Sequence, residues 1–208
     1  MAGNKLYNLS PFAGCSSLRN ITIPSGVSYI GSNVFKDCIS LETVSFDSDS
    51  CLSALSGGYV DGKFPDKSES LSVGLFANCI ALKKIVVPAS VEKIGETCFL
   101  GCSSLTDLEF ERDSFLQTIE NSSFKDCTQL HHIYLQNCTR LISIGDESFY
   151  GNNEIRLFQI GAGTPPSLGS EVFGSVGVYS VLKVPAGSES AYKAASGWNA
   201  FSSITAID

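Results

Sequence analysis

The sequence is poor in charge and in long apolar runs, and each shortage excludes a class of function. Only 17% of the 208 residues are charged, and acidic residues outnumber basic ones by 21 to 14. Nucleic-acid-binding domains need clustered Lys and Arg, so we expect no nucleic-acid partner. No stretch approaches the ~18 apolar residues of a membrane span. Residues 1–10 show no apolar segment of a secretory leader, so the protein is either cytosolic or its leader is absent from this sequence.

Catalytic signatures are also scarce. The sequence has only two histidines, His131 and His132, which are adjacent on a predicted strand and therefore face opposite ways. It contains none of the usual hydrolase, zinc-protease, P-loop or dinucleotide-binding motifs. Asp107 and Glu109 share one strand face at a spacing of roughly 7 Å, which would suit acid–base work or a cation, although solvated sheet residues are the simpler interpretation. We therefore predict no enzymatic activity, no cofactor and no metal site.

Phenylalanine is abundant, and it marks an internal repeat. Seven of the 13 Phe recur at spacings of 23, 41, 23, 25, 25 and 24 residues, namely Phe12, Phe35, Phe76, Phe99, Phe124, Phe149 and Phe173. Each of the first six phenylalanines is followed, three positions later, by a cysteine or in one case by an asparagine: Cys15, Cys38, Cys79, Cys102, Cys127 and Asn152. A fixed period of this length is the signature of stacked repeats, in which each unit buries its apolar residues against its neighbours.

Each repeat unit divides into short segments of different structure. The segment L-x-x-I-x-I is rich in β-branched residues and predicts a short strand, which Pro24 or Pro88 ends in two of the units. The segment V-x-x-I-G predicts a second short extended piece. The few residues before the next Phe allow only a single helical or 3-10 turn. We therefore predict a right-handed solenoid of about six to seven turns, built mostly from short strands.

The full unit F-x-x-C-x-x-L-x-x-I-x-I-P-x-x-V-x-x-I-G, best preserved at residues 12–31 and 76–95, resembles the BspA-type leucine-rich repeat. The resemblance covers about residues 9–173 and implies a leucine-rich repeat fold. The tail is similar to the C-terminal end that follows such repeats in proteins of gut Bacteroidales. The family occurs in surface proteins of Bacteroides-like bacteria, oral spirochaetes and some parasitic protists, so the resemblance implies adhesion or recognition at a cell surface. It carries no catalytic motif.

Two segments depart from the repeat, and the first is an insertion of about sixteen residues at about 56–71. Its Gly, Ser, Asp and Pro content predicts an exposed loop. Insertions in solenoids are often tolerated decorations, but they can also carry function. Tyr59 and Phe64 are the candidate contact residues of this loop.

The second departure is a capping segment at residues 174–208, so the chain is predicted to form one domain with repeats at 9–173. Tyr179, Leu182 and Val184 are expected to continue the strand register. A short helix is predicted from Pro185 to Gly197, with Ser188 as N-cap and Gly197 as the residue after its C-terminus. Four apolar residues are expected to cover the last turn: Tyr192, Trp198, Phe201 and Ile204.

The eight cysteines are interpreted as thiols and not as disulfides or zinc ligands. Five share one repeat position and would stack with parallel side chains, whereas disulfide and zinc geometry need converging ones. Buried thiols that donate to backbone carbonyls explain the column, and Asn152 could serve the same purpose. Cys98 is also expected to be buried, whereas Cys51 and Cys138 are expected to be exposed.

The outward face of the main strands is the candidate binding surface. Between the inward apolar residues of each L-x-x-I-x-I unit, two positions point outward and form two columns along the stack. The early turns place small neutral residues there, and the later turns place Tyr134 among Asp107, Glu109, His132 and Gln159. An aromatic side chain with hydrogen-bonding neighbours suits recognition, although an exposed sheet can also carry such variety by chance.

The sequence thus favours a non-catalytic recognition or adhesion module that binds a protein or glycan partner through the sheet face. The expected location is extracellular or at a bacterial cell surface. The alternative is a structural spacer or assembly domain that presents other domains, and a hydrolase is a distant third. The sequence makes no prediction for the oligomeric state.

Overall fold

A computed structural model describes residues 10–55, 74–174, 176 and 179–207, which form a solenoid of about seven turns. Thirteen strands occur in the described residues: β1 (Asn20–Ile23), β2 (Thr43–Phe46), β3 (Ala54–Leu55), β4 (Lys84–Val87), β5 (Lys93–Ile94), β6 (Asp107–Phe110), β7 (Thr118–Ile119), β8 (His132–Leu135), β9 (Ser143–Ile144), β10 (Leu157–Ile160), β11 (Ser167–Leu168), β12 (Val181–Val184) and β13 (Ser203–Ala206). They form a parallel sheet of eight strands, ordered β1-β2-β4-β6-β8-β10-β12-β13, and a parallel sheet of five two-residue strands, ordered β11-β9-β7-β5-β3.

The two predicted extended segments of each repeat form these two sheets. In β4, Ile85 and Val87 are buried while Lys84 and Val86 are exposed, as expected for a strand with one face on the core. Pro88 follows β4 directly, where its missing N–H costs no ladder hydrogen bond. The predicted leucine-rich repeat solenoid is therefore confirmed, and its core lies between the two sheets.

The repeating phenylalanines form a continuous ladder through this core. The first six rings stack in nearly parallel pairs, with centroids 5.0–5.4 Å apart and interplanar angles of 3–15°. The spacing between Phe35 and Phe76 is 5.4 Å, although 41 residues separate them in sequence. The insertion predicted at about 56–71, with Tyr59 and Phe64, lies outside the described residues. The stack is thus continuous on both sides of it.

Single turns lead into and out of each ladder phenylalanine. The amide of Leu100 donates to the carbonyl of Thr97 at 3.0 Å, which is the i to i+3 bond of the predicted 3-10-type turn. Left-handed residues on both sides of the Phe stop the turn from continuing as a helix. The column two residues before it holds Asn33, Thr97, Ser122, Glu147 and Glu171, and the column two residues after it holds Gly14, Asp37, Asn78, Gly101, Asp126 and Gly151. The second column contains only Gly, Asn and Asp, the residues that adopt this conformation most easily.

The cysteine column forms a hydrogen-bond ladder to the phenylalanine column. In each turn the Cys Sγ donates to the Phe carbonyl of the turn before: Cys38 to Phe12 at 3.0 Å, Cys79 to Phe35 at 3.1 Å, Cys102 to Phe76 at 3.2 Å and Cys127 to Phe99 at 3.2 Å. Asn152 Nδ2 takes the same role toward Phe124 at 2.9 Å. All eight cysteines are free, and burial raises the pKa of Cys102 well above its usual range. The prediction of a thiol ladder is confirmed, with Cys15 only partly buried at its end.

The exposure predicted for Cys138 is wrong, whereas Cys51 is exposed and Cys98 is buried as predicted. The connection from Leu135 to Leu141 is two residues longer than the matching step from Val87 to Val91. Cys138 is fully buried there and forms a side-chain hydrogen bond with Ser114, which is buried in the corresponding connection of the preceding turn. Desolvation there raises the pKa of the Cys138 thiol to about 12.

The C-terminal segment covers the last turn, as predicted. It contains a helix α1 (Glu189–Ala194), a 3-10 helix (Trp198–Ala200) and β13. Tyr192 and Trp198 are fully buried, and both polar atoms are satisfied: the Tyr192 hydroxyl donates to the Ala162 carbonyl at 2.7 Å, and Trp198 Nε1 donates to the Pro166 carbonyl at 2.9 Å. Phe201 is also buried, and Ile204 packs partly against the core. Among the described residues, no helix is long and apolar enough to cross a membrane.

Several details of this cap differ from the prediction. α1 is shorter than Pro185–Gly197, and Ser188 occupies the N-cap position without a side-chain capping bond. The helix ends at Ala194 with Ala195 as its C-cap, and Gly197, with φ of 81°, is the N-cap of the 3-10 helix. Tyr179 is exposed and precedes β12, whereas Leu182 and Val184 continue the register. β13 was not predicted, and it adds an eighth strand to the main sheet.

Candidate functional site

The outward face of the eight-stranded sheet carries the two predicted columns. The strand register aligns the first through Asn20, Thr43, Lys84, Asp107, His132, Leu157, Val181 and Ser203. It aligns the second through Val86, Glu109, Tyr134, Gln159, Lys183 and Thr205, with Thr22 and Ser45 paired on the first two strands. The structure therefore brings Asp107, Glu109, His132, Tyr134 and Gln159 onto the neighbouring strands β6, β8 and β10.

Asp107 is held by two neighbours and in turn fixes His132. Its Oδ1 lies 2.9 Å from His132 Nδ1, and its Oδ2 accepts a hydrogen bond from Thr106 Oγ1 at 2.7 Å. Partial burial acts to raise the pKa of Asp107, but the hydrogen bonds from Thr106 and His132 outweigh it, so the pKa lies below its usual range. Both carboxylate oxygens are thus occupied. A carboxylate can only accept, so neutral His132 carries its proton on Nδ1 and keeps Nε2 as an acceptor.

Glu109 is anchored through one of its two oxygens. Lys84 Nζ lies 2.8 Å from Glu109 Oε1, and this bond raises the pKa of Lys84 above its usual value. Within the described part of the chain, Glu109 Oε2 has no hydrogen-bond partner. The salt bridge therefore positions a carboxylate oxygen that stays available at the surface.

Tyr134 lies at the centre of the group. Its ring centroid is 5.9 Å from that of His132, with the planes tilted by 30°. Its neighbours in register are Glu109 on β6 and Gln159 on β10. The Tyr134 hydroxyl and the Gln159 amide make no hydrogen bond to any residue that the structure describes. We call Glu109, His132, Tyr134 and Gln159 the Tyr134 patch.

The supports of the Tyr134 patch were not predicted. Lys84 lies in the first column, and its bond to Glu109 is diagonal, from the first column to the second. Diagonal neighbours across a strand pair are within reach of long side chains, so opposite charges in adjacent columns were the available signal. Thr106 precedes its strand, and no outward-column pattern would have pointed to it.

The N-terminal part of the same face carries side chains of a different kind from those of the Tyr134 patch. Thr22 Oγ1 and Ser45 Oγ lie 2.9 Å apart, so these hydroxyls satisfy each other. Beside the sheet, Glu42 bonds to both Arg19 at 2.8 Å and Lys83 at 3.4 Å. These hydroxyls and charges are paired with one another, and the outward positions of β1 and β2 hold no aromatic side chain, which distinguishes this region from the Tyr134 patch.

A concave site also occurs on the opposite side of the solenoid. One depression of about 310 Å³ lies along the five-stranded sheet and is lined by Thr118, Glu120, Asn121, Ser143 and others. Its main acidic group is already occupied, because Glu120 accepts from Lys93 Nζ at 2.8 Å and from the Glu96 amide at 3.1 Å. Among the described residues, no group of three or more His, Cys, Asp or Glu is arranged to hold a metal ion.

Comparison with known families identifies the repeat. The model of the BspA type leucine rich repeat region matches in six copies, over residues 7–56 and 60–178. The chain belongs to the BspA-type leucine-rich repeat family. This membership agrees with the solenoid, its two sheets and its phenylalanine and cysteine ladders. No match was found among curated proteins.

Three solved structures resemble the chain at low sequence identity. The pneumococcal vaccine antigen PcpA is 16% identical, covers 92% of this chain and 68% of its own, and has a TM-score of 0.35. A leucine-rich cell surface protein from Faecalibacterium prausnitzii A2-165 is 16% identical, with coverages of 96% and 62% and a TM-score of 0.40. A leucine-rich repeat protein from Bacteroides ovatus ATCC 8483 is 19% identical, with coverages of 94% and 62% and a TM-score of 0.33. The chain thus spans less than two thirds of two of these three structures.

Proposed function

We propose that the chain is a non-catalytic recognition or adhesion module that binds a protein or glycan partner through the outward face of its eight-stranded sheet. The observation that carries the proposal is the contrast between the available groups of the Tyr134 patch and the paired groups around them. The Tyr134 hydroxyl, the Gln159 amide and Glu109 Oε2 have no hydrogen-bond partner among the described residues, while both oxygens of Asp107 are engaged and Lys84 is paired with Glu109. Fixed polar groups around an aromatic side chain are typical of binding hot spots.

The arrangement does not favour catalysis. A paired Asp and His would form two members of a hydrolase triad, but the third member is a hydroxyl or thiol bonded to the histidine. Among the described residues, no Ser, Thr or Cys side chain makes a hydrogen bond to His132. Asp107 and Glu109 are each engaged by a different partner, so they do not form a free acid–base pair.

The proposed location is extracellular or at a cell surface. Membership of the BspA-type family supports this location, since such repeats occur in surface proteins. Labelling intact source cells with an antibody against the domain would test it. Signal on permeabilised cells alone would contradict an external location.

The recognition function is tested by probing arrays of host extracellular proteins and of glycans with the purified chain. The first bound component is then titrated against the wild type, Tyr134→Ala and the matched control Thr22→Ala. Tyr134→Ala is expected to weaken binding by about 2 kcal/mol or more, with no change for Thr22→Ala. If both variants bind like the wild type, the sheet face is not the site, and replacement of Tyr59 or Phe64 tests the inserted segment instead.

A structural spacer is the alternative function. The continuous phenylalanine ladder supports it, because stacked turns that keep a 5.0–5.4 Å spacing make a regular scaffold. A spacer would bind nothing on either array, and exchanging the whole outward face for Ser and Thr would leave its role in the longer assembly intact.

A further inference from the structure

We infer that the Tyr134 patch binds a neutral oligosaccharide. The inference rests on the proposed recognition function and narrows its partner to one class. It is carried by three independent features of the patch: its size, its charge and its hydrogen-bonding groups.

The patch is small for a protein partner. Three strands of four residues span about 13 Å by about 15 Å, which is far less than the ~800 Å² that each partner buries in a standard protein interface. Toward the N-terminus, β1 and β2 present paired hydroxyls flanked by charged residues, and next to the patch only the single outward residues Val86, Leu157 and Val181 are apolar. A short saccharide chain needs no larger area.

Of the two carboxylates at the patch, only Glu109 is balanced by a cation. Glu109 is paired with Lys84 at 2.8 Å, and Asp107 with His132 at 2.9 Å. When His132 is neutral, the two pairs together carry one net negative charge. The chain as a whole carries a formal charge of −7. An acidic saccharide or a phosphorylated ligand would therefore be disfavoured by this net charge, because the adjacent Lys84 is already paired with Glu109. A neutral ligand meets no such cost.

The available groups match the chemistry of sugar hydroxyls. A sugar hydroxyl both donates and accepts, and the patch offers the Glu109 Oε2 and His132 Nε2 acceptors together with the Tyr134 hydroxyl and the Gln159 amide, which can do either. The aromatic face of Tyr134 can cover the apolar C–H face of a sugar ring. Asp107 and Lys84 would act as positioning residues, since Asp107 holds His132 and Lys84 holds Glu109.

The test begins with an array of neutral hexose and N-acetylhexosamine oligosaccharides beside their sialylated, uronic and sulfated counterparts. The best neutral binder is titrated calorimetrically against the wild type, Tyr134→Phe, Tyr134→Ala and Thr22→Ala. Tyr134→Ala is expected to lose about thirty-fold in affinity and Tyr134→Phe about five- to tenfold, with Thr22→Ala unchanged. Thermal unfolding of each variant separates loss of binding from loss of fold.

The positioning role of Asp107 has its own readout. Asp107→Ala is expected to reduce saccharide affinity about fivefold and to move the His132 proton from Nδ1 toward Nε2, which nitrogen NMR of the imidazole detects. An unchanged His132 tautomer would contradict the positioning role even if the affinity fell.

The outcomes distinguish this inference from the proposed function. A preference for acidic saccharides, or no binding to any neutral saccharide, overturns the neutral-glycan inference. If a protein partner is then captured and Tyr134→Ala releases it, the recognition function stands. If no captured partner depends on Tyr134, the inference and the sheet-face site both fail.

Discussion

The inward and outward sides of the same strands follow different rules. In β6 and β8 the inward residues Leu108, Ile133 and Leu135 are fully buried and apolar. The corresponding inward positions of the other turns also hold buried apolar residues, with few exceptions. The outward residues of these strands, including Asp107 and Tyr134, differ from those of every neighbouring turn. Stacking constrains the inward side at each level, because a turn can be buried only by a matching turn. The outward side is free of that constraint, so it can acquire a binding function without cost to the fold.

The largest effect is expected from removing residues 174–208, because the deletion exposes the buried inward side of the last remaining turn to solvent. The deletion removes β12, β13 and the buried Trp198, whose ring packs edge-on against Phe158 at 5.7 Å. The exposed core and the new strand edge should cause aggregation or loss of cooperative unfolding. Size-exclusion chromatography and urea unfolding measure this. A soluble truncation that unfolds cooperatively would show that the cap is dispensable.

Phe99→Ala should be the costliest single change on the inward side. Phe99 is fully buried between Phe76 and Phe124, so its loss should reduce the free energy of unfolding by about 3–5 kcal/mol. The matched control is Phe12→Ala at the end of the same ladder, where the ring is 41% exposed and the expected loss is about 1 kcal/mol. Urea unfolding compares the two. Equal losses would mean that position in the stack does not set the cost.

The cysteines allow burial to be separated from hydrogen bonding. Cys102 donates to the Phe76 carbonyl at 3.2 Å in the core, and Cys51 donates to the Ser25 carbonyl at 2.9 Å at the surface. Cys102→Ala should therefore lose about 1–2 kcal/mol of stability, and Cys51→Ala less than about 0.5 kcal/mol. Chemical unfolding of both variants under reducing conditions is the measurement. A large loss of stability for Cys51→Ala would show that the cysteines stabilise the fold through the hydrogen bond and not through burial.

The smallest expected effect on stability is on the outward side, at Asp107. Because its pKa in the folded chain is lowered from 3.8, the carboxylate stabilises the fold above that pH, and the contribution disappears as the pH falls through the folded pKa. The stability difference between the wild type and Asp107→Asn should be about 0.5 kcal/mol or less at about pH 5 and should vanish once the pH falls below the folded pKa. Urea unfolding across this range measures it. A difference independent of pH would indicate that Asp107 acts through packing and not through its charge.

The sequence predicts the inward side far better than the outward side or the cap. The ladders follow from period and residue type, and even the substitution of Asn152 for cysteine was predictable because both side chains can donate to a carbonyl. Cys138 was misjudged because its burial depends on packing against Ser114 of the preceding turn, which the repeat pattern does not show. No phenylalanine of the repeat series precedes β13 at the usual spacing, so the repeat pattern could not predict this strand. The outward columns were correct, but the bond between Asp107 and His132 depends on side-chain rotamers, which spacing does not determine.

The continuity of the ladder from Phe35 to Phe76 has a practical consequence. Ring spacing and the bonds between turns are kept across the longest gap of the repeat, as shown by the Gly95 amide, which donates to the Leu55 carbonyl at 2.8 Å. The scaffold thus tolerates added chain between Leu55 and Gly74 at little entropic cost, because closing a longer loop adds only slowly to the free energy. This makes the junction a natural place to graft a foreign epitope or a reporter peptide. Repeat arrays of this type could acquire new loops during evolution by the same route, one turn at a time.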